Sequence, residues 1–132
     1  MEDLTKKILK ESKTIAVVGL SPQPKKYSNR VAKYLKNQGY KIIPVNPTIE
    51  EVLGEKSYPN LTAVPEPVDI VDIFRRPEFV PDIVREAIQI KAKVVWMQEG
   101  VSNPEAAEEA LKSGLKVVQN KCLMKEHKKM FR

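Results

Sequence analysis

Short apolar runs recur along the chain and alternate with segments in which apolar residues follow helical spacing. Because a strand covered on both faces of a parallel sheet is apolar throughout, the runs predict five strands, over 14–18, 41–45, 68–74, 94–97 and 116–119. The helical spacing predicts helices over 3–12, 29–38, 80–91, 104–113 and 123–131. Strands that alternate with helices indicate parallel pairing, so the pattern predicts an α/β fold built on a doubly wound sheet.

Two of the predicted helices carry recognisable end signals. Ser28 can cap the helix that begins at Asn29, and Gly39 can supply the left-handed residue after its end. Asn103 followed by Pro104 combines an N-cap with proline at the first helical position.

The segment 46–67 shows no sustained period and contains four prolines and one glycine. A structureless loop of this length is unusual in a compact domain. We therefore expect short helical turns near 49–53 and 61–64 in place of a full crossover helix.

Right-handed crossovers leave few topologies for such a sheet. If the chain runs outward through the first three strands and then crosses back, the strand order is 3-2-1-4-5, with the switch point between the first and fourth strands. Ligands bind outside the carboxyl ends of the strands at that point. The loops expected to hold a ligand are 19–28, 45–47, 74–78, 98–103 and 120–122.

Length and composition favour one domain over 1–132, because 132 residues with 42% hydrophobic content can bury a core. The sequence has no run of about 20 apolar residues and no apolar signal segment at its start. We therefore expect a cytoplasmic protein with no membrane partner.

The net charge of +6 is concentrated in a basic C-terminal segment, 121–132, which carries five Lys or Arg and one Glu. Such a segment can meet nucleic acid, an acidic membrane surface or a polyphosphate ligand. It has no aromatic residue beyond Phe131 and no base-reading motif, so we expect a solvated helix end and no nucleic-acid partner.

Catalytic and metal motifs are missing from the sequence. The lone cysteine, Cys122, excludes an internal disulfide, and with the single histidine, His127, no Cys/His zinc cluster can form. No Ser/His/Asp set or close carboxylate pair is visible. We expect no metal site and no independent catalysis.

The stretch TIAVVGLSPQPKKYSNR at 14–30 has the order strand, turn, helix that is typical of phosphate sites. The dinucleotide fingerprint G-x-G-x-x-G is reduced to Gly19, and the acid expected at the end of the second strand is replaced by Val45-Asn46-Pro47. Both departures disfavour ordinary NAD binding. Free amides in the turn, the Ser21 hydroxyl and the charges of Lys26 and Arg30 can still hold phosphate.

Six motifs occur in order and carry a resemblance to a known family. They are VVGLS at 17–21, SNRV at 28–31, YKIIPVNP at 40–47, LGEKSYP at 53–59, VDIVDIFRR at 68–76 and VWMQEGV at 95–101. Together they resemble the small stand-alone CoA-binding proteins, which are similar to the CoA-binding domain of the succinyl-CoA synthetase α subunit.

The resemblance implies a Rossmann-like fold that holds coenzyme A or an acyl-CoA across the strand ends. Gly19, Leu20 and Ser21 would face the diphosphate, with charge from Lys26 and Arg30. The residues that would border the adenosine and line the rest of the crevice are Val45, Asn46, Pro47, Phe74, Arg75, Gln98, Glu99 and Gly100.

Alternatives to a CoA-binding protein remain open at this point. The synthetases use a phosphorylated histidine from a following domain and a separate nucleotide-binding subunit, and the motifs found here include neither. The first alternative is an NAD(P)-binding Rossmann oxidoreductase or redox sensor, and the second is a nucleic-acid-binding module. The sequence is compatible with a monomer or a homodimer.

Overall fold

Five parallel strands form the central sheet of the computed structural model, which describes residues 4–131. They are β1 (Thr14–Val18), β2 (Lys41–Val45), β5 (Ile70–Ile73), β6 (Val94–Met97) and β7 (Lys116–Val118). Two further strands, β3 (Glu51–Val52) and β4 (Glu55–Lys56), form a separate antiparallel hairpin. The α/β fold with a five-stranded parallel sheet is therefore confirmed.

Five α-helices flank the sheet: α1 (Leu4–Glu11), α2 (Tyr27–Asn37), α3 (Val80–Gln89), α4 (Pro104–Lys112) and α5 (Leu123–Met130). Short 3₁₀ helices lie at Leu61–Ala63 and Pro77–Phe79. The predicted start of the first helix at Asp3 lies outside the described residues, as does Arg132 at the end of the basic segment. Helix α4 begins as predicted, because the Asn103 side chain accepts a hydrogen bond from the Ala106 amide.

Alternate residues of each strand point to opposite faces of the sheet and build two apolar layers. Ile15 and Val17 of β1 face α1, α2 and α5, which we call the α2 face. Ala16 and Val18 face α3 and α4, which we call the α3 face. Because both faces are covered, the strands are apolar throughout, which is why the short apolar runs predicted them correctly.

The strand order differs from the predicted one. In the order of the sequence, the five sheet strands lie 2-1-3-4-5 across the sheet, so β1 lies between β2 and β5. The predicted order 3-2-1-4-5 was wrong, because β5 does not lie outside β2.

The position of the segment between β2 and β5 explains this difference. Helix α2 crosses on the α2 face, whereas Leu61 packs in the apolar layer of the α3 face. A right-handed crossover on the opposite face carries the chain across the sheet in the opposite direction. The chain therefore passes back over β1, and the third sheet strand, β5, pairs with the side of β1 that β2 leaves free.

The segment 46–67 contains one of its two predicted helical turns. The turn at Leu61–Ala63 is present and is capped by Asn60, whose side-chain oxygen accepts from the Ala63 amide at 3.0 Å. The turn predicted near 49–53 was wrong, since these residues enter the β3–β4 hairpin. Leu53 and Gly54 form its two-residue loop with positive φ angles of 55° and 76°, as the tight turn of a hairpin requires.

Candidate functional site

The carboxyl ends of β1 and β5 meet where the sheet reverses its winding direction. In the order 2-1-3-4-5 this is the topological switch point, and ligands of open α/β sheets bind in the crevice outside it. The switch point predicted between the first and fourth strands is corrected to this position. The crevice is bordered by the turn that follows β1 and by Phe74 and Arg75, which follow β5.

Gly19 ends β1 in a conformation and a position that only glycine fits. Its φ angle is +87°, and its amide donates to the Val45 carbonyl at 2.9 Å. A Cβ atom on Gly19 would lie 2.4 Å from the carbonyl oxygen of Phe74. The missing side chain thus lets the chain after β5 pass directly against the turn.

Side chains from two elements hold the turn after Gly19 in place. Asn29 of α2 donates to the Ser21 carbonyl at 2.9 Å, and Asn46 after β2 donates to the Leu20 carbonyl at 2.9 Å. The Asn46 side-chain oxygen in turn accepts from the amide and hydroxyl of Thr48. Asn29 was not predicted from the sequence, since its spacing from Ser21 carries no recognised motif.

The prediction of free amides in the turn was wrong for two of its residues. The Ser21 amide donates to the Ser28 hydroxyl at 3.0 Å, and the Gln23 amide donates to the Ser21 hydroxyl at 3.1 Å. Pro22 has no N–H group. Any phosphate at this turn must therefore be held chiefly by the start of α2 and by charged side chains.

Helix α2 begins at Tyr27, two residues earlier than predicted, and Ser28 is not its N-cap. Lys26 occupies the cap position without a side-chain cap bond, because the Ser28 hydroxyl lies within the helix and binds the turn instead. The first amides of an α-helix have no partner within it and attract anions. Lys26 and Arg30, four residues apart, are both exposed at this end.

A smaller cavity of about 110 Å³ lies on the α3 face at the ends of β1 and β2. Apolar side chains form most of its wall, with the Arg75 and Glu86 side chains as its charged groups. The Glu86 carboxylate accepts from the Leu61 amide at 2.8 Å. The lining residues are Val18, Val45, Pro47, Pro59, Asn60, Leu61, Arg75, Ile83 and Glu86.

A larger cavity of about 320 Å³ opens beside the ends of β5 and β6. Arg75 borders both cavities, and its guanidinium lies 4.4 Å from the centroid of the Phe79 ring, a distance suited to a cation–π contact. The residues that line the larger cavity are Tyr27, Phe74, Arg75, Arg76, Pro77, Gln98, Glu99, Gly100 and Val101.

A tight turn over 98–101 forms one wall of the larger cavity. The Val101 amide donates to the Gln98 carbonyl at 2.7 Å, and Gly100 has a φ angle of +87°. The Asn120 side chain, which follows β7, accepts from the Gly100 amide at 2.7 Å. Glu99 pairs with Lys125 of α5 at 2.9 Å, so its charge is partly compensated.

Tyr27 connects the larger cavity to Cys122, a contact that sequence reasoning did not find. The Tyr27 hydroxyl lies 2.7 Å from the Cys122 sulfur, and Cys122 is buried at the start of α5. Burial and this hydrogen bond raise the pKa of Tyr27 well above its usual range. Two residues 95 positions apart in sequence give no local signal of such a pair.

The basic C-terminal segment is a packed helix. Leu123 and His127 of α5 are buried against the α2 face, while Lys128 and Lys129 are exposed. The Tyr34 hydroxyl lies 2.7 Å from His127 Nδ1, and burial lowers the pKa of His127. The histidine therefore packs in the fold, with its ring against Tyr34, Tyr40 and Phe131.

Within residues 4–131, no group of three or more Asp, Glu, His or Cys side chains is arranged to bind a metal ion. No helix in this part of the chain is both long and apolar enough to cross a membrane.

The fold and the crevice together define a small Rossmann-like α/β domain with a crevice at its switch point. The chain belongs to the CoA binding domain family, which it matches over residues 13–128. The resemblance noted from the six motifs is thereby confirmed.

Some relatives have about the length of this chain, whereas others are much longer ligases. Protein YneT of Bacillus subtilis is 43% identical over 122 residues, which is 92% of this chain and 90% of that protein. ADP-forming acetate–CoA ligase I of Archaeoglobus fulgidus is 34% identical over 121 residues, but the match covers 84% of this chain and 18% of the ligase. A solved structure from Pyrococcus horikoshii is 40% identical, covers 100% of both chains and superimposes with a TM-score of 0.94.

Proposed function

We propose that this domain binds coenzyme A or an acyl-CoA through its diphosphate and adenosine, at the carboxyl ends of the parallel strands, and that it has no independent catalysis. The observation that carries the proposal is that Arg75 lines two cavities at the strand ends and that its side chain packs beside Gly19. A long ligand with a central diphosphate suits two cavities that share a cationic side chain.

The parts of the ligand are assigned by the chemistry of each wall. The adenosine would occupy the smaller cavity, bordered by Val45 and Pro47, with Asn46 beside it. The diphosphate would lie at Gly19, Leu20 and Ser21. The rest of the ligand would run into the larger cavity, along Phe74 and Arg75 and against Gln98, Glu99 and Gly100.

Positive charge around the turn favours a polyphosphate ligand. Lys26 and Arg30 stand at the start of α2, where the helix dipole also attracts anions, and Arg75 stands opposite. Of the two acids that line the cavities, Glu99 is paired with Lys125 and Glu86 accepts from the Leu61 amide. A ligand with several phosphate charges gains from this imbalance.

The end of β2 argues against a pyridine dinucleotide. A dinucleotide site places a carboxylate there to accept both ribose hydroxyls. Asn46 stands in that position, and both ends of its amide are already bound, to the Leu20 carbonyl and to Thr48. It has little capacity left to hold a ribose.

Binding, and not ligation, is the activity proposed, because the match covers only 18% of the acetate–CoA ligase. The reaction of that enzyme is a property of its whole chain. The part shared with this protein is the segment that belongs to the CoA-binding family.

Calorimetric titration of the full chain with CoA, acetyl-CoA, NAD and NADP in parallel tests the proposal. We expect CoA or acetyl-CoA to bind and both pyridine nucleotides to show no saturable heat over the same concentrations. Tighter binding of a pyridine nucleotide than of either CoA compound would overturn the assignment.

The variant Arg30→Ala tests the charge at the start of α2. A charge-assisted hydrogen bond of roughly 1.5 kcal/mol or more corresponds to about tenfold weaker CoA binding. Arg85→Ala is the matched control, since Arg85 is exposed on α3 and pairs there with Asp82 and Glu109. Equal affinity of the two variants for CoA would remove Arg30 from the site.

A further inference from the structure

A carboxyl group and an amide are buried together beneath the larger cavity. Asp72 lies in β5 and is fully buried, and Gln98, which follows β6, is 2% exposed. Gln98 Nε2 donates to Asp72 Oδ1 at 2.7 Å. Within the described residues, Asp72 Oδ2 and Gln98 Oε1 are buried without a hydrogen-bond partner.

These two unpaired atoms are both acceptors when Asp72 is ionised. A buried acceptor without a donor costs free energy, and a buried carboxylate without a cation costs more. A proton on Oδ2 removes both costs, since it makes this atom a donor and removes the charge. A carboxylic acid and a primary amide are planar groups that can form two parallel hydrogen bonds, of which the structure shows one.

We propose that Asp72 is a neutral carboxylic acid whose Oδ2–H donates to Gln98 Oε1, and that this two-bond pair positions the 98–101 turn at the wall of the larger cavity. The pair includes part of that turn, because Gln98 is the first residue of the turn and the Gln98 carbonyl accepts from the Val101 amide. Asp72 is thus a positioning residue, and its effect on a ligand rests on the CoA site proposed above.

The surroundings of Asp72 support the neutral form. Burial raises the pKa of Asp72 to about 8, and the hydrogen bond from Gln98 opposes this only in part. No cation among residues 4–131 forms an ion pair with it. The elements that cover the α2 face carry these titratable or charged side chains: Lys6, Lys7, Lys10, Glu11, Tyr27, Arg30, Lys33, Tyr34, Lys36, Cys122, Lys125, Glu126, His127, Lys128 and Lys129.

Ionisation of Asp72 would remove one of the two hydrogen bonds of the pair and leave the bond from Gln98 Nε2 to Asp72 Oδ1. The carboxylate has no proton for Gln98 Oε1, and the buried charge draws water or a rearranged side chain towards it. The 98–101 turn would then lose one of its anchors, while the bond from the Gly100 amide to Asn120 and the ion pair between Glu99 and Lys125 remain. We expect ligand affinity to fall as the pH rises through about 8.

The first measurement is a carbon-13 NMR titration of the aspartate carboxyl groups in the full chain without ligand. We expect the Asp72 carboxyl resonance to stay in its protonated position at pH 6.5, roughly two and a half units above the ordinary Asp value. Asp72→Asn identifies the resonance by its loss. Through-bond assignment in the unaltered protein gives the same result if that variant does not fold. A carboxyl resonance that titrates near pH 4 would overturn the proposal.

The second measurement compares CoA affinity at pH 6.5 and pH 9 for the unaltered chain, Asp72→Asn and the control Asp69→Asn. Asparagine has both a donor and an acceptor, so it can keep the pair and cannot ionise. Asp69 lies near the opposite end of β5, where it accepts from the amides of Lys13 and Thr14.

Between pH 6.5 and pH 9 we expect CoA affinity to fall about threefold or more for the unaltered chain and for Asp69→Asn, beyond any fall in CoA affinity for Asp72→Asn. The same loss in all three proteins would refute the positioning role. Failure of CoA to bind at either pH would refute the proposed function and the positioning of its ligand, while the carboxyl titration would still decide the protonation of Asp72.

Discussion

Individual residues at the end of β1 determine the shape of the crevice. Gly19 is the clearest case, because its φ angle and its distance from the Phe74 carbonyl both exclude a larger residue. Gly19 was predictable from its place after an apolar run. Asn29 and the structural role of Asn46 were not predictable, since their partners are backbone carbonyls that only the folded chain brings near.

At the residue scale we predict that Gly19→Ala is much more destabilising than Gly39→Ala. Both glycines have positive φ angles, +87° and +99°, so both variants bear the strain of roughly 1–2 kcal/mol that a side chain meets there. A Cβ on Gly39 meets nothing within 4 Å, whereas one on Gly19 meets the Phe74 carbonyl at 2.4 Å. Urea unfolding should show at least about 1 kcal/mol of additional loss for Gly19→Ala. Equal losses would mean that the turn moves aside without cost.

Secondary-structure elements were predictable to the extent that they are long. Each of the five sheet strands has enough apolar residues to be seen as a run, and the helices have enough turns to show spacing. The β3–β4 hairpin was not predictable, because strands of two residues are too short to show alternation. The contribution of α5 was also underestimated, since its lysines obscured its buried side chains.

At the element scale we predict that α5 is required for stability. Leu123 is fully buried against the α2 face, so Leu123→Ala should lower the free energy of unfolding by about 2–5 kcal/mol. Leu111→Ala on α4 is the matched control, because Leu111 is 58% exposed and its loss should cost no more than about 0.5 kcal/mol. Chemical denaturation of both variants measures the difference. A cost below 1 kcal/mol for Leu123→Ala would show that α5 is detachable from the sheet.

The arrangement of the whole sheet was only partly predictable. Alternation of strands and helices indicates a parallel sheet, but it does not say on which face each crossover lies. The segment 46–67 has no helix long enough to show its buried side, and Leu61 packs on the α3 face with the partly buried Tyr58 and Val64. Because the face of this crossover was not predictable, β5 was predicted to lie outside β2, whereas it pairs with the free side of β1. The switch point was misplaced for the same reason. The loops predicted to hold a ligand do not depend on this order, since every parallel strand ends at the same edge.

At the scale of the molecule we predict an unusual dependence of stability on pH. An unfolded Asp loses its proton near pH 4, whereas folded Asp72 keeps it up to about pH 8. The folded state therefore binds more protons between these values, and the free energy of unfolding falls as the pH rises through that window, by up to about 1.4 kcal/mol per pH unit from this group. The contribution is fully present below pH 4 and lost above pH 8.

Urea unfolding of the unaltered chain and of Asp72→Asn, followed by Trp96 fluorescence from pH 5 to pH 8, isolates this contribution. All other titrating groups are shared by the two proteins and cancel in the comparison. The variant should lose less stability across this range. Parallel profiles would mean that Asp72 is ionised in the folded protein.

The bonds from Asn29, Asn46 and Ser28 to the turn after β1 also bear on how fast and how tightly a ligand can associate. A loop that is ordered only on binding subtracts its ordering entropy from the affinity and slows association. Here the turn is immobilised by the protein's own side chains before any ligand arrives. If CoA binds here as proposed, preorganisation of this kind would make the site a rigid receptor, and we expect the backbone of residues 19–23 to keep one conformation with the crevice filled or empty.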